Sequence, residues 1–501
     1  MALKTTGKTS KVRTLRLQDL TGGINLESSP DFIGDNEAQM ILNMEFDPEG
    51  AKLRTRRGLG TAIHKFSSPV VHVYSDYELN DYIVFLKDKS IYKYEWGQEP
   101  KLIGVRNGDN ERPCCTKFGG AVLIASGDKL QKYDYNTFSV IEGSPKADIV
   151  FTRAGRVVIS KTGSDLLIYS AIGDETSWEI NSNDAAARKD INVGYKDGGD
   201  ILGVGLLASD IIVFKSNGLI YDVQNEPEDW NILQIGDNSD FSAQAAVTNI
   251  NNDIVYLSSM GLRSVSSSQS YGNFEKGDIG KKINPALRGR QLNPYISTLK
   301  RTKQLVVSHN DRTEVFVYHY ALKAFTKWKF PQPVVDIIEN QWRTIVITQG
   351  NGSNTDTDDA NSGYIYEFTY NHHTDMNDRI SQSIVSKELR DTHKMNLYRS
   401  YLDVEPATNG TGNITVNDIV LTHQWTDVEK QKEFKTQISS PILKMRFDTS
   451  DPIIYKYISF DVVMQNEAMV SQQSGSGSGS HRSRSGDFLK DIKKKANTPY
   501  G

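Results

Sequence analysis

Hydrophobic and polar positions alternate along most of this chain, and clusters of turn residues separate the alternating runs. One pattern recurs: a short β-branched or aromatic strand, a polar turn, and a second strand rich in Tyr. Seven versions start at Asp81, Ala121, Arg156, Asp210, Asp253, Gln304 and Arg343. Strands joined by Asn-Gly, Gly-Asp or Lys-Asp are typical of β-hairpins. Because the dominant period is two and not 3.6, the sequence predicts an all-β protein.

The spacing of the hairpins predicts how they are arranged. Successive versions start about 35 to 55 residues apart, which is the period of four-stranded propeller blades. Stacking around an axis buries both faces of every hairpin, which one hairpin cannot do alone. We therefore expect a β-propeller of about six to seven blades. An irregular pair of sandwiches is the alternative, and an acidic loop in the seventh unit leaves the blade count open.

A short helix is expected before the propeller. Residues 37–46 carry apolar side chains on one side of a helical wheel, after a suitable N-cap. The apolar residues are Met40, Ile41 and Met44, and the N-cap is Asp35 or Asn36. A corner at Pro48, Glu49 and Gly50 and then a strand follow this helix.

After the propeller, an isoleucine-containing crossover leads to four or five further strands. These strands predict a small C-terminal β-sandwich-like domain with its own core. A Gly/Ser-rich linker, expected to be flexible, and a basic tail complete the chain. The predicted division is a basic arm (1–20), a helix-turn-strand segment (21–70), the propeller (71–370), the crossover (371–395), the β-domain (396–467), and the linker and tail (468–501).

Charge and cysteine content narrow the function classes. The chain has 58 Lys and Arg against 62 Asp and Glu, a formal charge of -4, which argues against a surface that binds DNA or an acidic membrane everywhere. The two cysteines, Cys114 and Cys115, are adjacent, which excludes a disulfide framework or a four-cysteine zinc site. No run approaches the roughly 20 apolar residues of a membrane span. We expect no membrane insertion and maturation in a reducing cytoplasm.

Sequence motifs of catalytic or phosphate-binding sites are weak throughout the chain. The stretch SAIGDETSW is similar to the Asp box of sialidase blades, but Gly173 precedes Asp174, so we expect only a turn with a buried Trp178. The glycine-rich stretch 198–205 opens a strand and not the helix of a phosphate site.

Metal sites are equally weak. The acidic loop with Asp356, Asp358 and Asp359 lacks the glycine and distant Glu of a calcium loop, so a solvated loop is expected. His372 and His373 have no partner at ligand spacing. We therefore expect no catalytic residue, no cofactor and no metal.

Several motifs together resemble the tail hub, or nozzle, proteins of short-tailed bacteriophages, also called packaged-DNA stabilisation proteins. They are TGGIN at Thr21, DNEAQMILNMEFDPEGAKLRTRRGLGT from Asp35, LIYSAIGDETSW from Leu167, DIIVFKSNGLIYDV from Asp210 and SGYIYEFTY from Ser362. The order of these motifs over residues 20 to 465 agrees with that in tail hub proteins. The motif that starts at Asp35 is the most specific part of the resemblance.

The resemblance implies a non-enzymatic virion protein, made in the host bacterial cytoplasm. Copies would form a ring, a hexamer, that docks to portal and adaptor proteins and to a tail spike, fibre or needle. The ring would retain packaged double-stranded DNA without sequence specificity and later pass it during ejection. The alternatives are a cellular propeller that serves as a protein-interaction scaffold and a carbohydrate-active propeller enzyme that uses Asp174 or Asp356.

Two groups of cations are candidate contact residues in such a ring. Lys52, Arg54, Arg56 and Arg57 follow the corner at Pro48, but six copies would aim about 24 cations at DNA and hold it too tightly for ejection. We therefore favour structural or intersubunit pairing, with Leu53 buried and Arg54 and Arg56 facing carboxylates. The tail cations are the better candidates for a DNA or partner contact, although a solvated tail without function is as plausible. They are Arg482, Arg484, Lys490, Lys493, Lys494 and Lys495.

Overall fold

The computed structural model of the chain is built almost entirely of strands. It describes residues 12–464 except 77–79, 208–209, 226, 228, 238–239, 242, 251–252, 266–277, 290–293, 309–311, 353–358, 407–408 and 427–430. The predicted Gly/Ser linker and basic tail lie outside the described residues.

The N-terminal part contributes six strands before the first hairpin. They are β1 (Val12–Gln18), β2 (Gly23–Ile24), β3 (Glu37–Leu42), β4 (Met44–Phe46), β5 (Leu53–Thr55) and β6 (His64–Phe66).

Seven sheets then follow one another around a ring, so the predicted β-propeller is confirmed. The first three blades are β7 (Val70–Ser75), β8 (Asp81–Leu86), β9 (Ser90–Glu95) and β10 (Lys101–Val105); β11 (Cys114–Phe118), β12 (Ala121–Ala125), β13 (Gln131–Tyr133) and β14 (Phe138–Val140); β15 (Ala147–Arg153), β16 (Arg156–Lys161), β17 (Leu166–Tyr169) and β18 (Lys189–Asn192). The fourth and fifth are β19 (Ile201–Leu207), β20 (Asp210–Lys215), β21 (Ile220–Gln224) and β22 (Asn231–Gly236); β23 (Val247–Ile250), β24 (Asp253–Ser258) and β25 (Gly261–Ser264). The last two are β26 (Ile296–Leu299), β27 (Gln304–Ser308), β28 (Glu314–His319) and β29 (Ala324–Lys329); β30 (Val334–Glu339), β31 (Thr344–Gln349) and β32 (Gly363–Glu367).

The ring closes because β6 pairs with β32 and becomes the fourth strand of the seventh blade. The seventh and first blades then share an apolar layer that includes Val335 and Ile345 on one side and Val73 and Val84 on the other. A similar buried layer fills each other gap between neighbouring blades. The first strands of most adjacent blades contact each other, for example β11 with β15, β23 with β26 and β30 with β7, so the first strands lie nearest the axis.

Two short helical elements lie wholly within the described residues. They are a 3-10 turn at Gln244–Ala246 and α1 at Asn284–Leu287. Neither is long enough to cross a bilayer.

The C-terminal part adds a second β-body. Its strands are β33 (Thr374–Asp375), β34 (Asp378–Arg379), β35 (Gln382–Ser386), β36 (Leu389–Pro406), β37 (Gly410–Val416), β38 (Ile419–Trp425), β39 (Gln431–Leu443), β40 (Met445–Thr449) and β41 (Ile453–Met464). The predicted crossover at 371–395 is therefore largely strand, because its residues pair within this body.

This β-domain does not have the separate core expected from the sequence. One sheet runs without a break from the sixth blade through β29, β3, β35, β40, β37 and β38, and a second sheet has the order β39-β36-β41-β5-β4. Buried Leu305 and Phe316 of the sixth blade belong to the same apolar cluster as Leu402 and Phe447 of the β-domain. Propeller and β-domain are thus fused through a common core.

The predicted N-terminal helix over 37–46 is wrong, because this segment forms β3 and β4. β3 pairs with β2 and β29 on one side and with β35 on the other. Asn43 separates β3 from β4 with φ 54°, a left-handed conformation that asparagine tolerates. The apolar spacing that suggested a helix therefore comes from two short strands with a break between them. Pairing with distant strands overrides the local pattern.

Candidate functional site

The arginine segment, residues 52–57, lies where the propeller, the β-domain and the N-terminal strands meet. The predicted corner precedes it: Asp47 accepts a hydrogen bond from the backbone N–H of Glu49 at 2.9 Å. β5 then pairs with β4 and with β41 of the β-domain. Leu53 is buried, as expected for one face of this strand. Beyond β5 the chain turns into the propeller.

Arg56 is 1% exposed, and all five of its N–H groups have acceptors. Its two terminal nitrogens bind both carboxylate oxygens of Asp375, with 3.0 Å from Nη1 to Oδ1. Nε donates to Asn43 at 3.0 Å, and the remaining donors reach the carbonyl oxygens of Arg57 at 2.7 Å and Lys329 at 2.8 Å. A buried guanidinium with a two-point carboxylate partner and no unmet donor is a structural group.

Arg57 forms a second buried pair next to the first. Its guanidinium lies 3.5 Å from the carboxylate of Glu45, which is fully buried. Nη2 donates to Gln304 at 2.7 Å, and Nη1 donates to Thr344 at 3.3 Å. The guanidinium carbon also lies 4.5 Å from the ring centre of Phe368. These partners belong to an N-terminal strand and to the sixth and seventh blades, so Arg57 ties three parts of the chain together.

The charge state of this cluster depends on burial. Burial alone would raise the pKa of Glu45, but Arg57 holds the pKa below its ordinary value. His319 lies beside this pair, and burial lowers the pKa of its imidazole to about 4. Its Nε2 shares a hydrogen bond of 2.9 Å with Thr326, and its ring meets Phe46 edge to face. The cluster therefore contains a neutral histidine at neutral pH.

Gly58, the residue after the arginine segment, must be glycine because the backbone of His372 lies close to its Cα. The Cβ of any other residue at Gly58 would lie 2.5 Å from the carbonyl oxygen of His372. Gly58 also exchanges backbone hydrogen bonds with Thr369 at 3.1 and 3.2 Å. The Arg-Arg-Gly sequence thus packs directly against the chain that leaves the seventh blade.

The four cations proposed from the sequence therefore separate into two pairs. Arg56 and Arg57 are interior groups, 1% and 3% exposed, and their guanidinium groups bind partners within the chain. Arg54 is partly exposed, 3.4 Å from Asp47 and 3.8 Å from the ring centre of Tyr370. Lys52 is exposed. Only Lys52 and Arg54 remain accessible to a second molecule.

The sialidase-like stretch forms the turn expected of it. The carboxylate of Asp174 accepts hydrogen bonds from the backbone N–H and the hydroxyl of Thr176, at 2.8 and 2.6 Å. Trp178 is 4% exposed and donates to the carbonyl oxygen of Glu175 at 2.8 Å. Asp174 is occupied as a turn residue.

The other sites considered from the sequence do not come together in the described part of the chain. Asp359 accepts hydrogen bonds from the next turn, at 2.9 Å from Asn361, while Asp356 and Asp358 lie outside the described residues. His372 packs its ring against Gly60. No group of three metal-ligating side chains occurs among the described residues. The glycine-rich stretch 198–205 opens β19, as expected.

The propeller encloses a feature that sequence reasoning missed. A cavity of about 810 Å³ is lined by the first strands of several blades, including β7, β26 and β30. Within it, Asp336 of β30 accepts hydrogen bonds from Arg112 at 2.6 Å and Ser297 at 3.1 Å, and contacts Nδ1 of His72 at 3.1 Å. Burial would raise the pKa of Asp336, but Arg112 and His72 hold it below its ordinary value. Hairpin patterns do not reveal which side chains face the axis, so no signal pointed to this group.

Comparisons with known proteins identify no family. No protein-family model and no curated protein sequence matches the chain. Solved structures that resemble it include the computationally designed Ika8 protein (9% identity, 62% of this chain and 100% of that chain, TM-score 0.36), BBS1N in complex with ARL6DN (14%, 62% and 97%, 0.37) and BamB from Moraxella catarrhalis (10%, 72% and 99%, 0.39). Likenesses at this level carry no functional argument, and the sheet topology defines the propeller.

Proposed function

We propose that this protein is a structural component of a phage virion, a tail hub that forms a ring and acts through its contacts with neighbouring proteins and DNA. The proposal rests on the sequence resemblance to short-tailed phage hubs. One structural observation supports it: the segment with the most specific likeness, starting at Asp35, is the segment that joins propeller and β-domain. β3 to β5 and the two buried arginines all lie there.

A shared core and a continuous sheet suit a subunit that must stay rigid between two neighbouring proteins. Two bodies that share one core and a sheet of ten strands resist relative movement better than bodies joined by a linker. A subunit that must keep its shape between a portal on one side and a spike or fibre on the other needs that stiffness. No active site is required for such a role.

The DNA channel in this proposal lies between copies of the chain. The propeller cavity of about 810 Å³ has the volume of a small-molecule site, so a duplex does not pass through one subunit. A ring, proposed as a hexamer in the virion tail, would enclose the channel instead. Lys52, Arg54 and the basic tail are the cations that we assign to DNA or partner contact.

Negative-stain electron microscopy of the purified full-length chain, alone and mixed with a portal-adaptor complex, tests the proposal. We expect rings in one or both samples. Isolated monomers in both samples, with no density added to the portal-adaptor complex, would reject the proposal. A stable monomer would favour the second candidate, an interaction scaffold, to which the exposed apolar Ile180 and Tyr195 on the third blade give a starting surface.

A matched pair of variants separates the two groups of cations within the ring. One variant replaces Lys52 and Arg54 with Ala, and the other replaces the six tail cations with Gln. We expect both to fold, because neither change removes a buried group of the described chain. Loss of packaged DNA only from virions with the tail variant would support the tail as the DNA contact. Loss only with the first variant would assign the contact to Lys52 and Arg54.

A further inference from the structure

Some asparagines of this chain are followed directly by glycine. They are Asn107, Asn217, Asn351 and Asn409. At such a pair the backbone nitrogen of the glycine can attack the side-chain carbonyl carbon of the asparagine, because glycine has a flexible backbone and no Cβ that obstructs the approach. Asparagine is one of the thermolabile residues of proteins. The pairs in this chain differ in whether a hydrogen bond already engages the attacking nitrogen.

The pair at Asn107 is fixed on both sides of the bond that would form. Gly108 is buried, and its N–H donates to the hydroxyl of Ser126 at 3.2 Å. The same hydroxyl donates to the side-chain oxygen of Asn107 at 3.1 Å, and the side-chain nitrogen of Asn107 donates to the carbonyl oxygen of Lys129 at 2.8 Å. Attack would break these contacts in a buried place, so we expect the folded chain to protect this pair.

The pairs at Asn217 and Asn409 are held by their backbones. Both asparagines are exposed. The N–H of Gly218 donates to the carbonyl oxygen of Lys215 at 3.0 Å, in the turn between β20 and β21. Gly410 belongs to β37 and is paired with β38. Exposure of the asparagine therefore does not by itself make the glycine nitrogen available for attack.

At Asn351 the attacking nitrogen is available. Asn351 and Gly352 are exposed and lie between β31 and β32 of the seventh blade. The N–H of Gly352 makes no hydrogen bond within the part of the chain that the structure describes. Gly352 has φ 79°, a left-handed conformation that glycine adopts without strain. The side chain of Asn351 donates to the carbonyl oxygen of Pro331 at 3.0 Å, in a surface contact that water can replace.

We propose that Asn351 is a site of spontaneous deamidation, at which the seventh blade gains a carboxylate. The Gly352 nitrogen forms a bond to Cγ of Asn351, and the side-chain amide nitrogen leaves as ammonia with the proton that the Gly352 nitrogen gives up. Water then opens the cyclic imide at either carbonyl carbon, which yields aspartate or isoaspartate. Water is the only co-reactant. The product adds one negative charge to a loop whose sequence already contains Asp356, Asp358 and Asp359. This inference does not depend on the proposed ring.

Incubation of the purified full-length chain at mildly alkaline pH, followed by digestion and mass spectrometry, measures conversion at every Asn-Gly pair in one sample. We expect conversion at Asn351 to be about five- to tenfold faster than at Asn107 or Asn217, because one backbone hydrogen bond fewer has to break. The matched control is the same chain unfolded in urea. The pairs then differ only in their neighbours along the chain, so their rates should converge.

The variant Asn351→Gln identifies the source of the acidic product. Glutamine keeps the amide but would have to form a larger ring, so the acidic species seen by ion-exchange chromatography of the incubated wild type should be lost. Equal rates at Asn351 and Asn217 in the folded chain would overturn the inference, as would no conversion at Asn351. An acidic species that persists unchanged in Asn351→Gln would assign the reaction to another residue and also overturn it.

Discussion

Two regions of this protein bury arginines in different ways. At the joint, the cluster that contains the arginine segment, Arg56 and Arg57 are matched by carboxylates, and Asp375 lies 319 residues from Arg56 along the chain. In the third blade, Arg156 is equally buried but donates to backbone carbonyl oxygens of its own blade. The acceptors are Ser170, Ala185, Ala186 and Ala187, at 2.6 to 3.0 Å.

The difference separates long-range from local stabilisation. A carboxylate brought from a distant part of the chain cannot be replaced by water when the joint is closed, so the loss of either charge leaves the other buried and unpaired. The carbonyl oxygens around Arg156 belong to a surface loop, where Ala185 is exposed and solvent can approach. We therefore expect the joint to govern global stability and Arg156 to govern one loop.

Replacing Arg56 with Met should produce the largest effect, a loss of about 3 to 5 kcal/mol in the free energy of unfolding, because Asp375 stays buried without its partner. Urea denaturation followed by tryptophan fluorescence measures this loss. The double variant Arg56→Met, Asp375→Leu should be destabilised by less than the sum of the two single variants, with a coupling of about 2 to 3 kcal/mol. Strict additivity would contradict the pairing.

The joint should also be sensitive to acid, which the loop contacts of Arg156 are not. The pKa of His319 is about 4 in the folded chain and 6.5 when unfolded, so the unfolded state takes up a proton first as the pH falls below 6.5. The contribution of His319 to the free energy of unfolding should therefore be fully present above pH 6.5. It should decrease by about 3 kcal/mol as the pH falls toward 4. Glu45, with its lowered pKa, adds a further loss at more acidic pH.

The control for the acid effect is His319→Gln, which removes the titrating group and keeps a hydrogen-bonding side chain beside Thr326. Its unfolding free energy should be lower than that of wild type at pH 7 but should change less between pH 6.5 and 4.5. Denaturation curves at these two values suffice. An equal pH dependence in both proteins would show that the imidazole does not contribute.

Arg156→Met should have a moderate effect of about 1 to 3 kcal/mol, because carbonyl oxygens lose a charged donor but can partly rehydrate. The local nature of this effect should be visible as faster proteolytic cleavage within residues 171–187, while the other blades stay protected. Mass spectrometry of limited digests locates the cuts. Cleavage distributed over the whole propeller would mean that this arginine holds more than one loop.

The smallest effects are expected at the exposed end of the arginine segment. Arg54→Ala should cost about 1 kcal/mol or less, since its partner Asp47 is also solvent-accessible, and the loss should shrink further in high salt. Lys52→Ala should be neutral. A large loss from either change would show that the segment depends on its surface charges as well as its buried ones.

Local features were accessible from the sequence because their causes lie within a few residues. Alternation with period two and short turn dipeptides specify each hairpin, which is why the propeller could be expected. The turn at Asp174 and the buried Trp178 follow from contacts within four residues. The burial of Leu53 follows from the alternation of an extended strand.

Other features depended on partners far away in the chain. Met40, Ile41 and Met44 suggested a helix because nothing nearby shows that β29 and β35 will flank this segment. Carboxylate partners were predicted for the arginine segment, but the sequence could not identify Glu45 and Asp375 as those partners. The group around Asp336 was not anticipated, since it forms only when the first strands meet around the axis.

The sequence by itself determined the strand period, the turns and the all-β character, because these follow from backbone geometry and from side chains close together in the chain. Only the tertiary structure decided that β6 closes the ring, that β3 joins propeller to β-domain and that Asp375 receives Arg56. The physical reason is that each of these contacts closes a loop of about 300 residues, and its free energy depends on every blade folded in between.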